Sequence, residues 1–212
     1  MPGPVAAEPP ARERALGALT GLALGDALGM PTQSMSPAQI RRCYGEITGL
    51  RDAVAEQPIA PSVPAGSVTD DTEQALILAG LLIDGGGRID PHQLADALLR
   101  WEDDMRARGS LDLLGPSTKL ALERVRAGAD PHCTGRQGTT NGAAMRVAPV
   151  GIAFSLSADG DALARAVQAS CLVTHDTRQG FEAAGLLAAA VSAAIDGVDA
   201  AGALEAALDF VA

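Results

Sequence analysis

Three acids lie within four positions at the start of an apolar run. The stretch "GSVTDDTEQALILAG", residues 66–80, places Asp70, Asp71 and Glu73 directly ahead of that run. Helix capping is one interpretation, with Thr69 or Asp70 as the N-cap residue and Glu73 three residues after Asp70 in a capping box, because acids near the positive end of a helix dipole stabilise it by roughly 0.3–1 kcal/mol. A metal site is the other, because adjacent carboxylates repel one another and Thr69, Asp70 and Asp71 carry the hard oxygen ligands that Mg²⁺, Mn²⁺ or Ca²⁺ prefer. The spacing leaves both interpretations open.

Two further stretches place polar side chains where they could act on a substrate. Asp26 stands in "GLALGDALGMPTQSMSP", an otherwise apolar helical pattern, and an ordinary solvent-facing Asp is the alternative to a functional one. In "GPSTKLAL", Gly115, Ser117 and Thr118 form a Gly-Pro turn with hydroxyls at the start of a helix. Backbone N–H groups at such a turn cradle phosphate, yet an ordinary helix cap has the same residues.

Two loops carry the remaining candidates. In "GTTNGAAMRVAPVGIAFS", Asn141 and Gly142 permit a tight turn that can approach a ligand closely, although a plain turn has the same sequence. His175, one of three histidines, stands beside an Asp in "VTHDTRQG" between two predicted helices, where it could cap a loop or act in catalysis. His132 beside Cys133 is a weak indication of zinc, because the sequence offers no second ligand pair.

The elements that must position these residues are predicted to be helices. No convincing alternation of apolar and polar residues indicates a strand, whereas apolar residues recur at helical spacing through most of the chain. We therefore expect an all-α fold with Gly-rich and Asp-rich loops joining the helices, and loops of that kind gathered on one side of a helical scaffold are where sites tend to lie. The predicted helices cover residues 12–28, 72–83, 92–106, 117–127, about 143–156, 161–172, 178–195 and 200 to the end.

Composition narrows the setting and the partners. The 212 residues are 47% hydrophobic and only 2% aromatic, which favours helices packed closely through small residues. A formal net charge of −10 gives no electrostatic reason to expect nucleic acid or an anionic membrane as a partner. Three widely spaced cysteines indicate a reduced, cytoplasmic location. We expect residues 1–11 to be a disordered lead and residues 12–212 to form one domain.

Taken together and in this order, five stretches resemble the ADP-ribosylglycohydrolase family, which includes the dinitrogenase-reductase-activating glycohydrolases and the lens J1 crystallins. They are "GALTGLALGDALG", "TDDTEQAL", "GPSTK", "TNGAAMRVAPVGIAFS" and "LVTHDTRQG", and the resemblance runs over about residues 14–197. It implies an all-α bundle with two Mg²⁺ ions in a cleft, or Mn²⁺ in their place. It also implies hydrolysis of the glycosidic bond that joins ADP-ribose to a protein side chain or a small molecule, so the expected partner is an ADP-ribosylated protein or an ADP-ribose-like small molecule.

The resemblance also implies a role for each candidate. The metal ligands are Thr69, Asp70 and Asp71. The substrate-binding residues are Gly115, Ser117 and Thr118 in a phosphate-binding turn, and Asn141, Gly142 and His175 in the ribose and diphosphate loops. The catalytic residues are Asp26, Asp71 and Gln33.

Two departures from the family pattern keep other functions open. Many members have Glu where this chain has Gln33, and Gln can hydrogen-bond ribose but cannot transfer a proton. The family completes its metal site with an Asp-x-Asp-Thr stretch, and none follows Gly197, so we expect a chain incomplete at its C-terminus. The alternatives are a hydrolase of another N-riboside or nucleoside, and a non-catalytic ADP-ribose-binding or structural relative.

Overall fold

All regular secondary structure is helical in residues 10–109 and 114–212, the two ranges that the computed structural model describes. The predicted all-α class is confirmed. Residues 1–9, most of the predicted lead, lie outside the described residues. The helices are α1 (Ala11–Gly29), α2 (Pro37–Tyr44), α3 (Asp70–Asp84), α4 (Pro91–Ala107), α5 (Pro116–Arg126), α6 (Gly142–Arg146), α7 (Ala148–Ala153), α8 (Gly160–Cys171), α9 (Arg178–Ile195) and α10 (Ala200–Val211), with a 3₁₀ turn at Met30–Thr32 after α1.

Two helices, α3 and α9, organise the packing. Helix α9 contacts α1, α6, α7, α8 and α10, and α3 contacts α1, α4, α6 and α7. The buried face of α9 consists of small residues such as Ala184, Ala188 and Ala189, so its neighbours approach closely. A Cβ at Gly151 of α7 would collide with the carbonyl oxygen of Ala188. With few aromatic side chains to fill the core, the helices pack closely, backbone against backbone.

The single helix predicted over residues 143–156 is wrong, because the chain forms two short helices there. Helix α6 ends at Arg146 and α7 begins at Ala148, with Val147 between them. Pro149 explains the break, since proline has no N–H to donate and its ring excludes the carbonyl of the preceding turn. Phe154 then adopts an extended conformation and ends α7.

Helix α2 was not predicted. Its signal in the sequence is local: Ser36 accepts from the N–H of Gln39 at 3.3 Å, and the Gln39 side chain accepts from the N–H of Ser36 at 2.8 Å. Pro37 occupies the first helical position, where its missing N–H has no cost. Tyr44 at the end of α2 donates its hydroxyl to the carbonyl oxygen of Pro31 at 2.9 Å, which joins α2 to the segment that carries Gln33.

The remaining predicted helices are confirmed to within two residues at each end. Asp90 caps α4 by accepting the N–H groups of His92 and Gln93, and Pro91 stands at the first helical position. None of the helices in residues 10–109 and 114–212 combines the length and the apolar character that crossing a membrane requires.

Candidate active site

Asp26 of α1 caps α3 from outside that helix. Its Oδ2 accepts the backbone N–H of Thr69 at 2.7 Å and the N–H of Thr72 at 3.2 Å. Its two oxygens also accept the hydroxyls of Thr69 and Thr72, at 2.8 and 2.6 Å. The first N–H groups of a helix have no partner within it, and a carboxylate there also interacts favourably with the helix dipole. Asp26 is therefore not the ordinary solvent-facing residue that the apolar pattern allowed.

Asp70 and Asp71 form the acidic wall of the site. Asp70 is only 5% exposed, and burial, followed by the charges of Asp71 and Asp26, raises its pKa to about 7. Burial and the charge of Asp26 also raise the pKa of Asp71. The Thr69 hydroxyl lies 3.3 Å from Asp71 Oδ2, which offsets part of this effect. The wall thus concentrates negative charge in a partly buried place.

Glu73, the third acid of the cluster, turns away from this wall. Trp101 donates its indole N–H to Glu73 at 2.7 Å, and Arg108 forms a two-point ion pair with it at 3.0 and 3.1 Å. Burial raises the pKa of Glu73, but Arg108 and Trp101 outweigh burial and hold the pKa below its usual range. The predicted capping box with Asp70 is therefore not formed, and Asp26 does the capping instead.

The predicted site residues converge on two adjoining cavities of about 310 and 250 Å³. Both cavities are lined by Gln33, Asp71 and Asn141, which stand at their boundary. The first cavity is also lined by Asp26 and Thr69, and the second by Asp70, Gly115, Thr118 and Gly142. The loops before α3, α5 and α6 thus bring residues far apart in sequence to one cleft.

Helix α5 points its N-terminus at the second cavity. Gly115 is its N-cap residue and Pro116 its first position, and both line the cavity with Thr118. The positive end of a helix dipole attracts an anion such as a phosphate. The cleft therefore offers an acidic wall for a cation and, across it, a helix terminus for an anion.

Ser117 and His175 support the cleft from behind rather than line it. Ser117 Oγ accepts the N–H of Thr140 at 3.4 Å, and His175 Nε2 lies 3.0 Å from Thr140 Oγ1. The His175 ring is fully buried, and burial, followed by the charge of Arg146, lowers its pKa to about 3. A Cβ at Gly142 would lie 2.6 Å from His175 Cε1, so this position needs glycine. His175 thus fixes the loop that ends in Asn141 and Gly142.

Gln57 and Arg146 were not predicted to belong to the site. Gln57 is 2% exposed and donates to the carbonyl oxygens of Met30 and Gln33 at 3.1 and 3.3 Å, which fixes the backbone of Gln33. No periodic pattern marks it in the sequence. Arg146 is fully buried, and a charged residue inside the apolar stretch "AAMRVAPVG" was a signal for it.

Arg146 joins α3, α6 and α8 behind the acidic wall. Its guanidinium donates to Gln74 Oε1 at 3.0 Å, to the Ser170 carbonyl oxygen at 3.0 Å and to Thr174 Oγ1 at 2.6 Å. Burial lowers its pKa to about 10, with Cys171 and then Asp70 acting in the opposite direction. A positive charge is thus held inside the core, close enough to Asp70 to interact with it.

The donors of the acidic wall fit a divalent cation. Carboxylate and hydroxyl oxygens are the ligands that Mg²⁺ and Mn²⁺ take, and Thr69, Asp70 and Asp71 carry them on one side of the cleft. A cation there would stabilise the charged forms of the two carboxylates whose pKa values burial and repulsion raise. These three residues could therefore hold the metal.

A family model described as ADP-ribosylglycohydrolase matches residues 7–212. The chain belongs to the ADP-ribosylglycohydrolase family. The resemblance seen in the five stretches is thereby confirmed, and the all-helical fold agrees with it.

Three bacterial proteins are among the relatives to which this chain is similar. It is 36% identical over 185 residues to the uncharacterized protein YegU of Escherichia coli (strain K12), covering 87% of this chain and 55% of that protein. It is 33% identical to the ADP-ribosylarginine hydrolase Tri1 of Pseudomonas putida (strain GB-1), covering 89% and 48%. It is 32% identical to the ADP-ribosyl-[dinitrogen reductase] glycohydrolase of Rhodospirillum rubrum, covering 68% and 46%. The chain spans about half the length of these relatives.

Proposed function

We propose that this protein hydrolyses the glycosidic bond between ADP-ribose and a modified side chain, with Mg²⁺ held by Thr69, Asp70 and Asp71. The observation that carries the proposal is the position of Asp71 and Asn141, which border both the acidic cavity and the cavity at the N-terminus of α5. ADP-ribose carries a negatively charged diphosphate beside an uncharged ribose. It therefore needs a site for an anion next to a site for hydroxyl groups. Family membership supports the same reaction class.

The chain's own residues divide the binding of ADP-ribose between them. The N-terminus of α5 at Gly115 and Thr118 binds the diphosphate, because unpaired helix N–H groups and the dipole favour an anion. Asn141 and Gln33 hydrogen-bond the ribose hydroxyls. Oε1 of Gln33 is buried and accepts no hydrogen bond from the described residues, so a hydroxyl donor from the ribose would satisfy it.

Hydrolysis requires a water molecule that attacks the anomeric carbon of the ribose. The water oxygen bonds to that carbon as the glycosidic bond breaks through an oxocarbenium-like transition state, and the leaving group takes up a proton. Asp71 accepts the water's proton, because its carboxylate borders both cavities, and this proton is the one that the leaving group takes up. Asp26 is a positioning residue, since four hydrogen bonds already occupy its oxygens. The cation, when bound, supplies Lewis-acid stabilisation of the ribose oxygens.

Arginine is the leaving group that we propose. A guanidinium is positively charged, and the cavity lined by Asp26 and Asp71 is the acidic one. The relative from Pseudomonas putida is named an ADP-ribosylarginine hydrolase, which supports this choice. We place the reaction in the cytoplasm on the evidence of three free cysteines.

The test is release of ADP-ribose from an ADP-ribosylated arginine peptide. We expect release in Mg²⁺ buffer, none in EDTA, and a loss of at least about 100-fold for Asp71→Asn, the usual scale for removing a general base. Glu73→Gln is the matched control, because this acid lies two residues away and is paired with Arg108 outside the cleft. Release that persists in EDTA and in Asp71→Asn contradicts the proposal.

Two results would favour the alternatives. Turnover of nucleosides but not of ADP-ribosyl-arginine or ADP-ribosyl-serine would indicate an N-riboside hydrolase, as the polar but non-acidic Gln33 allows. Tight binding of free ADP-ribose without turnover of any substrate would indicate a binding protein.

A further inference from the structure

The tripeptide Asp-Pro-His occurs twice, at residues 90–92 and 130–132. In each copy the Asp Oδ1 accepts the backbone N–H of the His two residues later, at 2.8 Å for His92 and 3.0 Å for His132. The first copy begins α4, and the second lies in the loop that follows α5. Each backbone turn therefore holds its histidine in a defined place.

The fold brings the two copies together on the surface. The rings of His92 and His132 lie edge to face, with centroids 5.3 Å apart and an angle of 62° between the ring planes. One ligand atom each from His92, Asp130 and His132 lies within 4.8 Å of the other two. His132 Nδ1 is 2.9 Å from Asp130 Oδ1, and all three residues are exposed. A cation could reach this cluster from solvent without any opening of the fold.

The ligand types indicate which cation. Imidazole nitrogen favours Zn²⁺, Ni²⁺ and Cu²⁺, whereas Mg²⁺ and Ca²⁺ prefer sites made of oxygens alone. In a tetrahedral zinc site the metal–ligand distance is about 2.0–2.2 Å, so neighbouring ligand atoms are roughly 3.3 Å apart. The three ligand atoms already lie within 4.8 Å of one another, and side-chain rotation would have to close the rest of the gap when a metal binds. Three protein ligands leave a fourth position for water or an external group.

We propose that His92, Asp130 and His132 form a surface site for a divalent transition-metal ion, of which Zn²⁺ is the representative, separate from the acidic cleft. The ion would join the start of α4 to the loop after α5. That loop is anchored further along, where Thr134 donates to the carbonyl oxygen of Val173 at 2.7 Å. Binding to the folded state alone would raise the stability of this connection.

The three histidines make the site directly observable. In the ¹⁵N-labelled chain, Zn²⁺ titrated in the presence of excess Mg²⁺ should shift the ring nitrogen signals of His92 and His132. The buried His175 is an internal reference whose signals should stay in place. Shifts at His175 alone, or at none of the three, would overturn the proposal.

Variants separate this site from other zinc ligands. His92→Ala should weaken Zn²⁺ binding at least about tenfold, the minimum expected for loss of a ligand, and should leave ADP-ribose release unchanged. Cys133→Ser is the matched control and should bind Zn²⁺ as the wild type does, because the proposed ligands exclude this thiol. Equal Zn²⁺ affinity of His92→Ala and wild type, or loss of binding in Cys133→Ser, would contradict the assignment whether or not the cleft proves catalytic.

Discussion

Asp26 accepts both the backbone N–H and the hydroxyl of Thr69, at 2.7 and 2.8 Å, across 43 residues of sequence. The pair fixes the start of α3 to α1, and the two acids that follow Thr69 are fixed with it. Asp26, which lies beside the candidate metal ligands, thus has a structural role that can be tested separately from catalysis.

Replacement of Asp26 by Ala should lower the free energy of unfolding by roughly 2–4 kcal/mol, because four donors lose a charged acceptor. Urea denaturation followed by far-ultraviolet circular dichroism measures this change. Asp96→Ala, at an exposed position on α4, is the control and should change stability by less than about 0.5 kcal/mol. Equal stability of the two variants would show that the α1–α3 cap contributes little.

Asp70→Asn should stabilise the metal-free protein while it weakens Mg²⁺ binding. Burial and two neighbouring charges raise the pKa of Asp70 to about 7. Above that pH the side chain is ionised in the folded state, and this buried charge lowers the free energy of unfolding. A neutral side chain at this position should raise the free energy of unfolding by roughly 1–3 kcal/mol at about pH 8. Thermal unfolding with and without Mg²⁺ measures both effects. If the metal-free variant were less stable than the wild type, the Asp70 carboxylate would stabilise the fold and the prediction would be wrong.

Gly142→Ala should destabilise the protein by roughly 1–3 kcal/mol, because the new methyl group must displace the buried ring of His175. The same shift should move Asn141, so binding of ADP-ribose should weaken as well. Calorimetric titration with ADP-ribose and urea denaturation measure the two effects.

Gly80→Ala provides the matched control for that change. Gly80 lies within α3, and the space that a methyl group would occupy there is open, so alanine should stabilise the helix by roughly 0.5–1 kcal/mol. If both substitutions changed stability in the same direction, close contact with His175 could not be the cause.

His175 should make the protein sensitive to mild acid. Burial, followed by Arg146, lowers its pKa to about 3, so the folded state keeps the ring neutral while the unfolded state binds a proton below its ordinary pKa of 6.5. The stability from this group is therefore complete above 6.5 and is lost as the pH falls towards 3. Between about pH 7.5 and about pH 5 the loss is about 2 kcal/mol.

Comparison with His175→Gln separates the contribution of His175 from that of Asp70. The raised pKa of Asp70 changes the free energy of unfolding in the opposite direction over the same pH range. The stability advantage of the wild type over the variant should shrink by about 2 kcal/mol on acidification. An advantage that stays constant with pH would show that the ring titrates normally in the folded state.

Sequence patterns predicted the helices well where apolar periodicity was long. They failed at Pro149, where one residue without an N–H divides a continuous apolar stretch into α6 and α7. They also missed α2, an eight-residue helix that begins at a local capping box at Ser36 and contains no fully buried residue.

The candidate residues of the site were found from motifs, but their contacts were not. Glu73 was grouped with Asp70 and Asp71 by sequence, yet Trp101 and Arg108 draw it away from the cleft. Partners 28 and 35 residues distant cannot be inferred from local spacing. The capping role of Asp26 was invisible for the same reason.

Arg146 gives the cleft a counter-charge that dissolved ions do not reach. Salt screens charges at a surface within about a Debye length, but a guanidinium with no exposed area in the core is screened far less. The effect of this buried charge therefore varies little with the medium, while attraction between the acidic wall and a cation from solvent weakens as ionic strength rises. The exposed and the buried charges of this region thus lie in two different dielectric environments, and only the exposed ones respond to salt.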